Sequence, residues 1–352
     1  MVFALAVLPL VWVGFFLTAS YVHESLAYDF RHAYLPAAHA VLDGESPLPE
    51  IDDPRLAAET AYVYPPLLAY ALTPLTPLSE NSASVVATLG AIALLAGALL
   101  ILGIRDWRCY GAVLLWSPTL NAVHTASASL LLVLAAALAW RFRNRAPPFS
   151  AALGLGIAVK LVIWPLVVWA LATRRLAAAA GAVLVAALAA LASWAALGFE
   201  DLTRYPELLD RLQELEAEES YSLVGVLATL GIEGGFAQVP VLIVGAGLLI
   251  ASVVYGRRRE DLRSFTLAIS AGLALTPILW QHYLVLLVVP LAVARPRFSG
   301  IWLVPVFVWL APRGDNGVPV QTWIPALAAI LLVVLLLRRP AAPSRMHAAE
   351  SA

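Results

Sequence analysis

Long apolar runs separated by short polar breaks extend along almost the whole chain. Single runs of membrane-spanning length occupy residues 1–22, 83–104, 176–198 and 237–255. A helix of about 20 apolar residues crosses the hydrocarbon core of a bilayer, so each run predicts one transmembrane helix. The first run has no basic start and no small-residue cleavage site, which favours a retained helix over a cleaved signal peptide.

Arginine-rich breaks between the apolar runs predict the orientation in the membrane. Cytoplasmic loops of membrane proteins are enriched in Lys and Arg, so all these breaks are expected in the cytoplasm. The clusters are Arg105 and Arg108; Arg141, Arg143 and Arg145; Arg174 and Arg175; Arg257 to Arg259 with Arg263; Arg295 and Arg297; and Arg338 and Arg339. An even number of crossings must therefore separate neighbouring clusters.

Four apolar regions between these clusters are interrupted near their middles. Residues 109–140, 146–173, 264–294 and 298–337 are broken at Pro118 to Ser129, Lys160 to Pro165, Pro277 to His282 and Pro312 to Pro319, respectively. Each region predicts a pair of short or bent helices, and 146–173 is short enough to be a hairpin within the membrane. The predicted fold is all-α, a polytopic membrane helix bundle of about twelve membrane segments with both termini in the cytoplasm.

Acidic residues concentrate in two loops on the other side. Eight lie within residues 23–62 and eight within 199–220, together 16 of the 23 acids. We therefore expect outer loops at 23–66 and 199–222 of a single transmembrane domain at 1–339, and a disordered cytoplasmic tail at 340–352. Leu208, Leu212 and Leu215 have helical spacing, which predicts an amphipathic outer helix whose acids form a solvated face.

Composition supports the membrane prediction and excludes several classes of protein. Hydrophobic residues make up 61% of the chain and charged residues 13%, whereas soluble domains are about 45–50% apolar. The net charge of −1 argues against nucleic-acid binding, and Cys109 is the only cysteine, which excludes an internal disulfide or a cysteine-based metal site. Phosphate-loop, serine-hydrolase and zinc-protease motifs do not occur, which disfavours ATP-driven pumps and those hydrolases.

Asp29 and Lys160 are charged residues at positions that need an explanation. Asp29 follows the first apolar run, where a carboxylate would serve as a general base for an attacking hydroxyl or would simply be a solvated acid. Lys160 is the only lysine and lies inside an apolar run. An ammonium at membrane depth is costly, so Lys160 either binds a phosphate as a compact point charge or snorkels to the surface.

His282 lies between two apolar segments on the expected outer side. A histidine there would orient a carboxylate, move a proton or bond a phosphate oxygen, whereas Trp280 and Tyr283 beside it also suit an interfacial aromatic belt. Asn121 and His124 give the 109–140 region a polar midpoint, which either contacts substrate or satisfies helix ends.

The order of short motifs along the chain resembles glycosyltransferase family 87. The motifs are Asp29-Phe30 with Tyr34, the turn Leu42, Gly44 and Pro47, Tyr64-Pro65-Pro66-Leu67, Ser117-Pro118, Gly156 with Lys160, Ser222-Leu223, and Trp280 with His282. Together they run from about residue 20 to residue 295. The resemblance implies the GT-C membrane fold and transfer of a hexose, mannose above all, from a polyprenyl-phosphate donor to an acceptor hydroxyl.

The same resemblance implies the chemistry and the partners. The transfer would be inverting, independent of metal or cofactor, and located on the extracytoplasmic face of the plasma membrane, with a glycolipid, polysaccharide or protein as acceptor. Asp29 is then the expected general base and His282 its partner or a phosphate contact, while Lys160 and Arg31 would bind the donor phosphate. We expect the substrate groove to be lined by Tyr34, Tyr64, Asn121, His124, Trp280 and Tyr283.

Two positions depart from the family pattern. Ala126-Ser127-Ala128-Ser129 stands where such sequences often have Gly-Gln-x-Asn, and Tyr283 replaces a second histidine. These changes leave Asp29, Lys160 and His282 in place but leave the sugar and the acceptor open. A secondary transporter or lipid flippase is the alternative, because broken helices and intramembrane charge also occur there. A noncatalytic membrane scaffold is the third hypothesis.

Overall fold

The described part of the chain is helical throughout. The computed structural model describes residues 3–199, 201–311 and 319–338, and within these ranges it contains no β-strand. The all-α prediction is therefore confirmed. The predicted tail at 340–352 and all but the last residue of the predicted break at 312–319 lie outside the described residues.

Seventeen α-helices follow one another along the described ranges. They are α1 (Leu8–Val22), α2 (Leu35–Leu42), α3 (Pro54–Ala57), α4 (Leu67–Leu72), α5 (Glu80–Ile101), α6 (Trp107–Leu114), α7 (Ser117–His124), α8 (Ser129–Arg141), α9 (Ala146–Val159), α10 (Pro165–Ala172), α11 (Leu176–Ala195), α12 (Tyr205–Glu216), α13 (Leu223–Ala228), α14 (Gly235–Arg257), α15 (Asp261–Leu275), α16 (Val288–Ala294) and α17 (Pro319–Leu337). Turns of π- or 3₁₀-helix occupy Phe3–Val7, Phe30–Tyr34, Thr73–Leu75, Leu161–Ile163, Gln281–Leu287 and Gly300–Leu310.

Five of the described helices are long and apolar enough to cross a membrane. They are Leu5–Val22, Glu80–Ile101, Leu176–Ala195, Gly235–Arg257 and Pro319–Leu337. Helices α7 and α8 bend by 115° at their junction and add a sixth span if they count as one broken helix. The predicted number of about twelve membrane segments is therefore not confirmed, because helices such as α9, with 14 residues, are shorter than the ~30 Å core requires.

Helices are interrupted where the polar midpoints predicted breaks. Helix α7 ends at His124 and α8 begins at Ser129, while α9 ends at Val159 and α10 begins at Pro165. Helix α15 ends at Leu275 and is followed by non-helical backbone up to Trp280. Irregular backbone leaves peptide groups that must be satisfied by protein or by water in a cavity, so these interruptions are where a polar site can form.

Two glycines allow α9 and α11 to pack very closely. A Cβ atom on Gly154 would lie 2.6 Å from the Cβ of Val185, and one on Gly181 would lie 2.3 Å from the hydroxyl of Ser150. Neither distance leaves room for a methyl group, so both helices approach each other through bare backbone. The Ser150 hydroxyl completes the contact by donating to the Ala178 carbonyl at 3.1 Å.

The two predicted outer loops share an apolar cluster that also includes residues of the membrane helices, such as Ala83, Val159 and Trp194. Leu208 and Leu212 on α12 are buried in one cluster with Leu56 and Tyr62 of the first outer loop. Helix α12 also contacts α3, the short helix of that loop. The two loops are therefore packed together, and their combined surface meets the interrupted helices at the site described next.

Candidate active site

A cavity of about 770 Å³ lies between the outer loops and the interrupted helices. Six parts of the chain line it, namely 28–34, 56–65, the end of α7, 159–164, Tyr221 and 272–283, and α12 contributes a seventh. Eight of the ten predicted site residues face it: Asp29, Tyr34, Tyr64, Asn121, Lys160, Trp280, His282 and Tyr283. The volume is within the range of about 300–1,000 Å³ that small-molecule sites occupy.

Asp29 is held in the cavity wall by the turn that follows α7. The amide of Ala27 donates to the carbonyl of His124 at 2.7 Å, and the amide of Phe30 donates to the carbonyl of Thr125 at 3.3 Å. Ala27 and Ala126 have positive φ values of 57° and 51°, a conformation that L-residues other than glycine adopt only at a cost. Both strained turns thus lie beside the proposed base.

Burial raises the pKa of the Asp29 carboxyl to about 7, although the Lys160 ammonium and the Thr125 side chain oppose the shift. A carboxyl with a pKa near neutrality changes protonation state easily at physiological pH, which is the property a general base needs. Desolvation therefore raises the pKa of Asp29, and the nearby positive charge of Lys160 lowers it.

Lys160 interrupts the chain between α9 and α10. Its backbone is extended, with φ −159° and ψ 126°, and the turn Leu161–Ile163 follows it. Two glycines make room for this turn: a Cβ on Gly156 would lie 2.7 Å from Ile163, and one on Gly272 would lie 2.1 Å from the Val162 carbonyl oxygen. The Gly156–Lys160 spacing of the sequence motif therefore has a packing explanation.

The ammonium of Lys160 is surrounded by tyrosines. Its Nζ donates to the hydroxyl of Tyr64 at 3.0 Å and also to that of Tyr283. Nζ lies 4.5 Å and 3.8 Å from the ring centroids of these two tyrosines, so cation–π attraction adds to the hydrogen bonds. Tyr34 donates in turn to Tyr64 at 3.3 Å. The charge is thus held in the cavity by neutral groups.

His282 is buried and is oriented by Asn121. Its Nδ1 lies 3.0 Å from Asn121 Oδ1, and since an amide oxygen only accepts, Nδ1 is the donor. Nε2 is buried without a hydrogen-bond partner among the described residues. In the neutral ring Nε2 is therefore a free acceptor, whereas no hydrogen bond joins His282 to Asp29 in the described structure.

Arg31 and His124 lie outside the cavity lining. Arg31 forms an ion pair with Glu80 at 3.1 Å and donates to Asn81 at 2.6 Å, both at the start of α5. The His124 ring packs against Phe16, with centroids 5.2 Å apart. The structure therefore does not bring these two predicted site residues together with the other eight.

Glu216 is a cavity residue that the sequence prediction missed. It is 7% exposed, so the predicted solvated face is wrong for this acid, although Glu207, Asp210 and Glu214 of the same helix are exposed. Burial raises its pKa to about 8. Positions 208, 212 and 216 are four residues apart and share one helix face, and this spacing was the signal that could have identified it.

No metal-binding cluster was found in the described ranges. Among their residues, no group of three or more His, Cys, Asp or Glu side chains could hold a metal ion. Cys109 is a free, buried thiol.

The fold and the cavity define a class: a helical membrane protein whose loops and interrupted helices bring an acid, an ammonium and a histidine to one cavity. Within that class the family is clear. The model of glycosyltransferase family 87 matches residues 62–290, so the chain belongs to this family and is a glycosyltransferase. Family membership decides against the transporter and scaffold alternatives.

A curated relative adds detail. The chain is 25% identical over 298 residues to the polyprenol-phosphate-mannose-dependent alpha-(1-2)-phosphatidylinositol pentamannoside mannosyltransferase of Mycolicibacterium smegmatis. The match covers 79% of this chain and 68% of that protein. No solved structure matches.

Proposed function

We propose that the protein transfers a hexose, mannose in the first instance, from a polyprenyl-phosphate donor to an acceptor hydroxyl on the extracytoplasmic face of the plasma membrane. One observation carries the proposal: Asp29 and Lys160 line the same cavity, and Lys160 is the strongest charge acting on the Asp29 carboxyl. A base and a cation in one site are what this transfer requires.

The proposed reaction is a single displacement at the anomeric carbon. The acceptor oxygen forms a bond to this carbon while the bond from the carbon to the phosphate oxygen breaks. Asp29 takes the proton of the acceptor hydroxyl, and the polyprenyl phosphate leaves with the bonding electron pair. Attack from the side opposite the leaving group inverts the anomeric configuration.

Lys160 acts on the departing phosphate in this scheme, and His282 acts on the sugar. Negative charge grows on the leaving oxygen, and a fixed ammonium in a site that excludes water stabilises it more strongly than water would. The buried Nε2 of His282 is an acceptor in the neutral ring and takes a hydrogen bond from a hydroxyl of the bound donor sugar. Neither step calls for a metal ion or a cofactor.

Support for donor, sugar and membrane side comes from three sources. The curated relative is named as polyprenol-phosphate-mannose dependent. The described residues include five helices suited to membrane crossing, so a lipid-borne donor and the enzyme share the bilayer. Arginine clusters predict the cytoplasmic ends, and the acidic loops that line the cavity belong to the other side.

The direct test is sugar transfer by purified protein in nanodiscs. Radiolabelled polyprenyl-phosphate mannose is supplied with a membrane lipid extract, with and without chelator, to wild type, Asp29→Asn and Asp43→Asn. Asp43 lies in the same loop but does not line the cavity, so it is the matched control. We expect a labelled product that survives chelation, is lost in Asp29→Asn and persists in Asp43→Asn.

Two results would contradict the proposal. Equal activity of Asp29→Asn and wild type would remove Asp29 as the base. Loss of product on chelation, with recovery on adding a divalent cation, would refute metal independence. If wild type transfers only another polyprenyl-phosphate sugar, the choice of mannose is wrong while the reaction type stands.

A further inference from the structure

Glu216 is a buried carboxyl without a partner, facing the cavity from the loop side. It is 7% exposed, and within the described residues its carboxyl makes no hydrogen bond and no ion pair. A buried polar group without a partner is costly unless a ligand or water satisfies it. Since Glu216 lines the cavity, a ligand bound there can supply such a partner.

An amide and two aromatic rings accompany Glu216. Gln213 precedes it by one helical turn and also lines the cavity, as do Tyr205 and Tyr221. The Tyr205 hydroxyl donates to the Val63 carbonyl at 3.1 Å, so it is already engaged and the ring is what remains available. A carboxyl and an amide bond the hydroxyl groups of a sugar, and aromatic rings pack on its apolar C–H faces.

Among the residues that the structure describes, this side of the cavity carries acids but no cation. We call it the outer wall; it consists of Glu59, Asp210, Gln213 and Glu216. The four arginines of the same loops do not line the cavity, and each is paired elsewhere: Arg31 with Glu80, Arg55 with Asp53, Arg204 with Glu50 and Asp201, and Arg211 with Glu214. Lys160 is the only cation among the described residues of the lining, and it lies at the break between α9 and α10.

We propose that the outer wall is the acceptor subsite and that the part of the acceptor it binds is a neutral, polyhydroxylated sugar, held by Glu216 and Gln213. This inference rests on the proposed function and adds the chemical class of the acceptor. A phosphate or carboxylate on the acceptor sugar would meet Glu59 and Asp210 without a counterion. The anionic donor, in contrast, is drawn to Lys160.

The first test measures binding without any reaction. The full-length protein in nanodiscs is titrated with methyl mannobioside, and with the same disaccharide carrying a 6-phosphate on its terminal sugar, by saturation-transfer NMR. We expect the neutral sugar to bind about ten-fold more tightly than the phosphorylated one. Glu216→Ala should weaken neutral-sugar binding by about ten-fold, whereas Glu216→Gln, which keeps an oxygen acceptor, should largely retain it.

Glu214→Ala is the matched control. It makes the same change two residues away on the exposed side of α12, and we expect it to bind the neutral sugar as wild type does. In the transfer assay, Glu216→Ala should raise the KM for the acceptor and leave the KM for the donor unchanged. A purely structural effect of the substitution would alter both.

Several outcomes would overturn the inference. They are equal binding of the two sugars, no saturable binding of the neutral sugar, or unchanged binding in Glu216→Ala. A Glu216→Ala protein that fails to fold still leaves the comparison of the two sugars on wild type to decide. Selective mannobioside binding without transfer from any polyprenyl-phosphate sugar would refute the proposed function while leaving the sugar subsite in place.

Discussion

The ammonium of Lys160 donates a hydrogen bond to the hydroxyl of Tyr64 at 3.0 Å, across 96 residues of sequence. This contact joins the end of the first outer loop to the break between α9 and α10. It places the cation at a defined point in the cavity, with no acid in ion-pair contact with it among the described residues. The charge is therefore free to act on an anionic donor.

Loss of the cation should slow the transfer much more than loss of the tyrosine hydroxyl. We expect Lys160→Met to lower kcat by about 100-fold or more, because a fixed charge aimed at a leaving group is worth that much. Tyr64→Phe should lower kcat by about 10-fold, since one hydrogen bond to a charged group is removed. Steady-state kinetics with polyprenyl-phosphate mannose measures both. Equal losses in the two variants would show that the tyrosine does more than position Lys160.

The pH profile should report the ionisation of Asp29. Burial raises the pKa of this carboxyl to about 7, and a general base acts only when ionised, so kcat/KM should rise with pH and level off above about 7. Measurement of kcat/KM from pH 5 to pH 9, about two units on each side of that value, tests this. Glu216→Gln should keep the rising limb near pH 7. A limb centred near pH 4 would contradict a buried base.

The contribution of Asp29 to the stability of the protein should fall as the pH rises toward about 7, whereas kcat/KM should rise. An unfolded Asp has a pKa of about 3.9, whereas the folded carboxyl holds its proton up to about pH 7. Between these values the folded state binds more protons, so the contribution of Asp29 to stability falls as pH rises and is constant above about 7. Thermal unfolding of Asp29→Asn should lack this component, since an amide does not titrate.

Gly272 should be required for the position of the Lys160 turn. A Cβ there would lie 2.1 Å from the Val162 carbonyl oxygen, so Gly272→Ala must displace either α15 or the turn. We expect a loss of stability of about 1–3 kcal/mol and at least a ten-fold loss of kcat. Gly97→Ala on α5 is the control, because a Cβ there meets nothing within 4 Å. Wild-type kinetics in Gly272→Ala would disprove the packing argument.

Ala126→Gly should stabilise the protein. Ala126 has φ 51°, and glycine adopts this conformation without the steric cost of a Cβ atom, so we expect a gain of about 1 kcal/mol. The control, Ala122→Gly inside α7, should lose about 1 kcal/mol, since glycine is a poor helix former. Thermal unfolding in detergent, followed by tryptophan fluorescence, compares the two. An unfolding midpoint of Ala126→Gly below that of wild type would contradict the backbone strain inferred at this residue.

Local sequence signals identified most of the residues that line the cavity, but they did not identify which residues contact one another in space. Asp29, Lys160 and His282 stood out because each is a polar residue at a break between apolar runs, and the structure places all three at one cavity. Arg31 is two residues from Asp29 on a helical turn, so it points elsewhere and pairs with Glu80. Glu80 lies at the start of α5, far from Arg31 along the chain, so no local sequence pattern reveals this ion pair.

The count of membrane segments was the less predictable part of the fold. Arginine clusters required even numbers of crossings, but they could not distinguish a full span from a short helix that turns back. Helices α9 and α10 illustrate this, because their lengths are set by where Lys160 and Pro165 interrupt them. Glu216 was missed for a different reason: the acidic composition of its helix concealed the one acid on the buried face.

The packing of α12 against α3 has a consequence for how such an enzyme can diversify. Lys160 and His282 lie at breaks between helices, whereas the outer wall comes from the two loops, which share an apolar cluster. Loops change in length and sequence more readily than packed helices. A chimera that exchanges α3 and α12 together, and so keeps their contact while leaving Asp29 and Tyr64 in place, should acquire a new acceptor preference while retaining its donor.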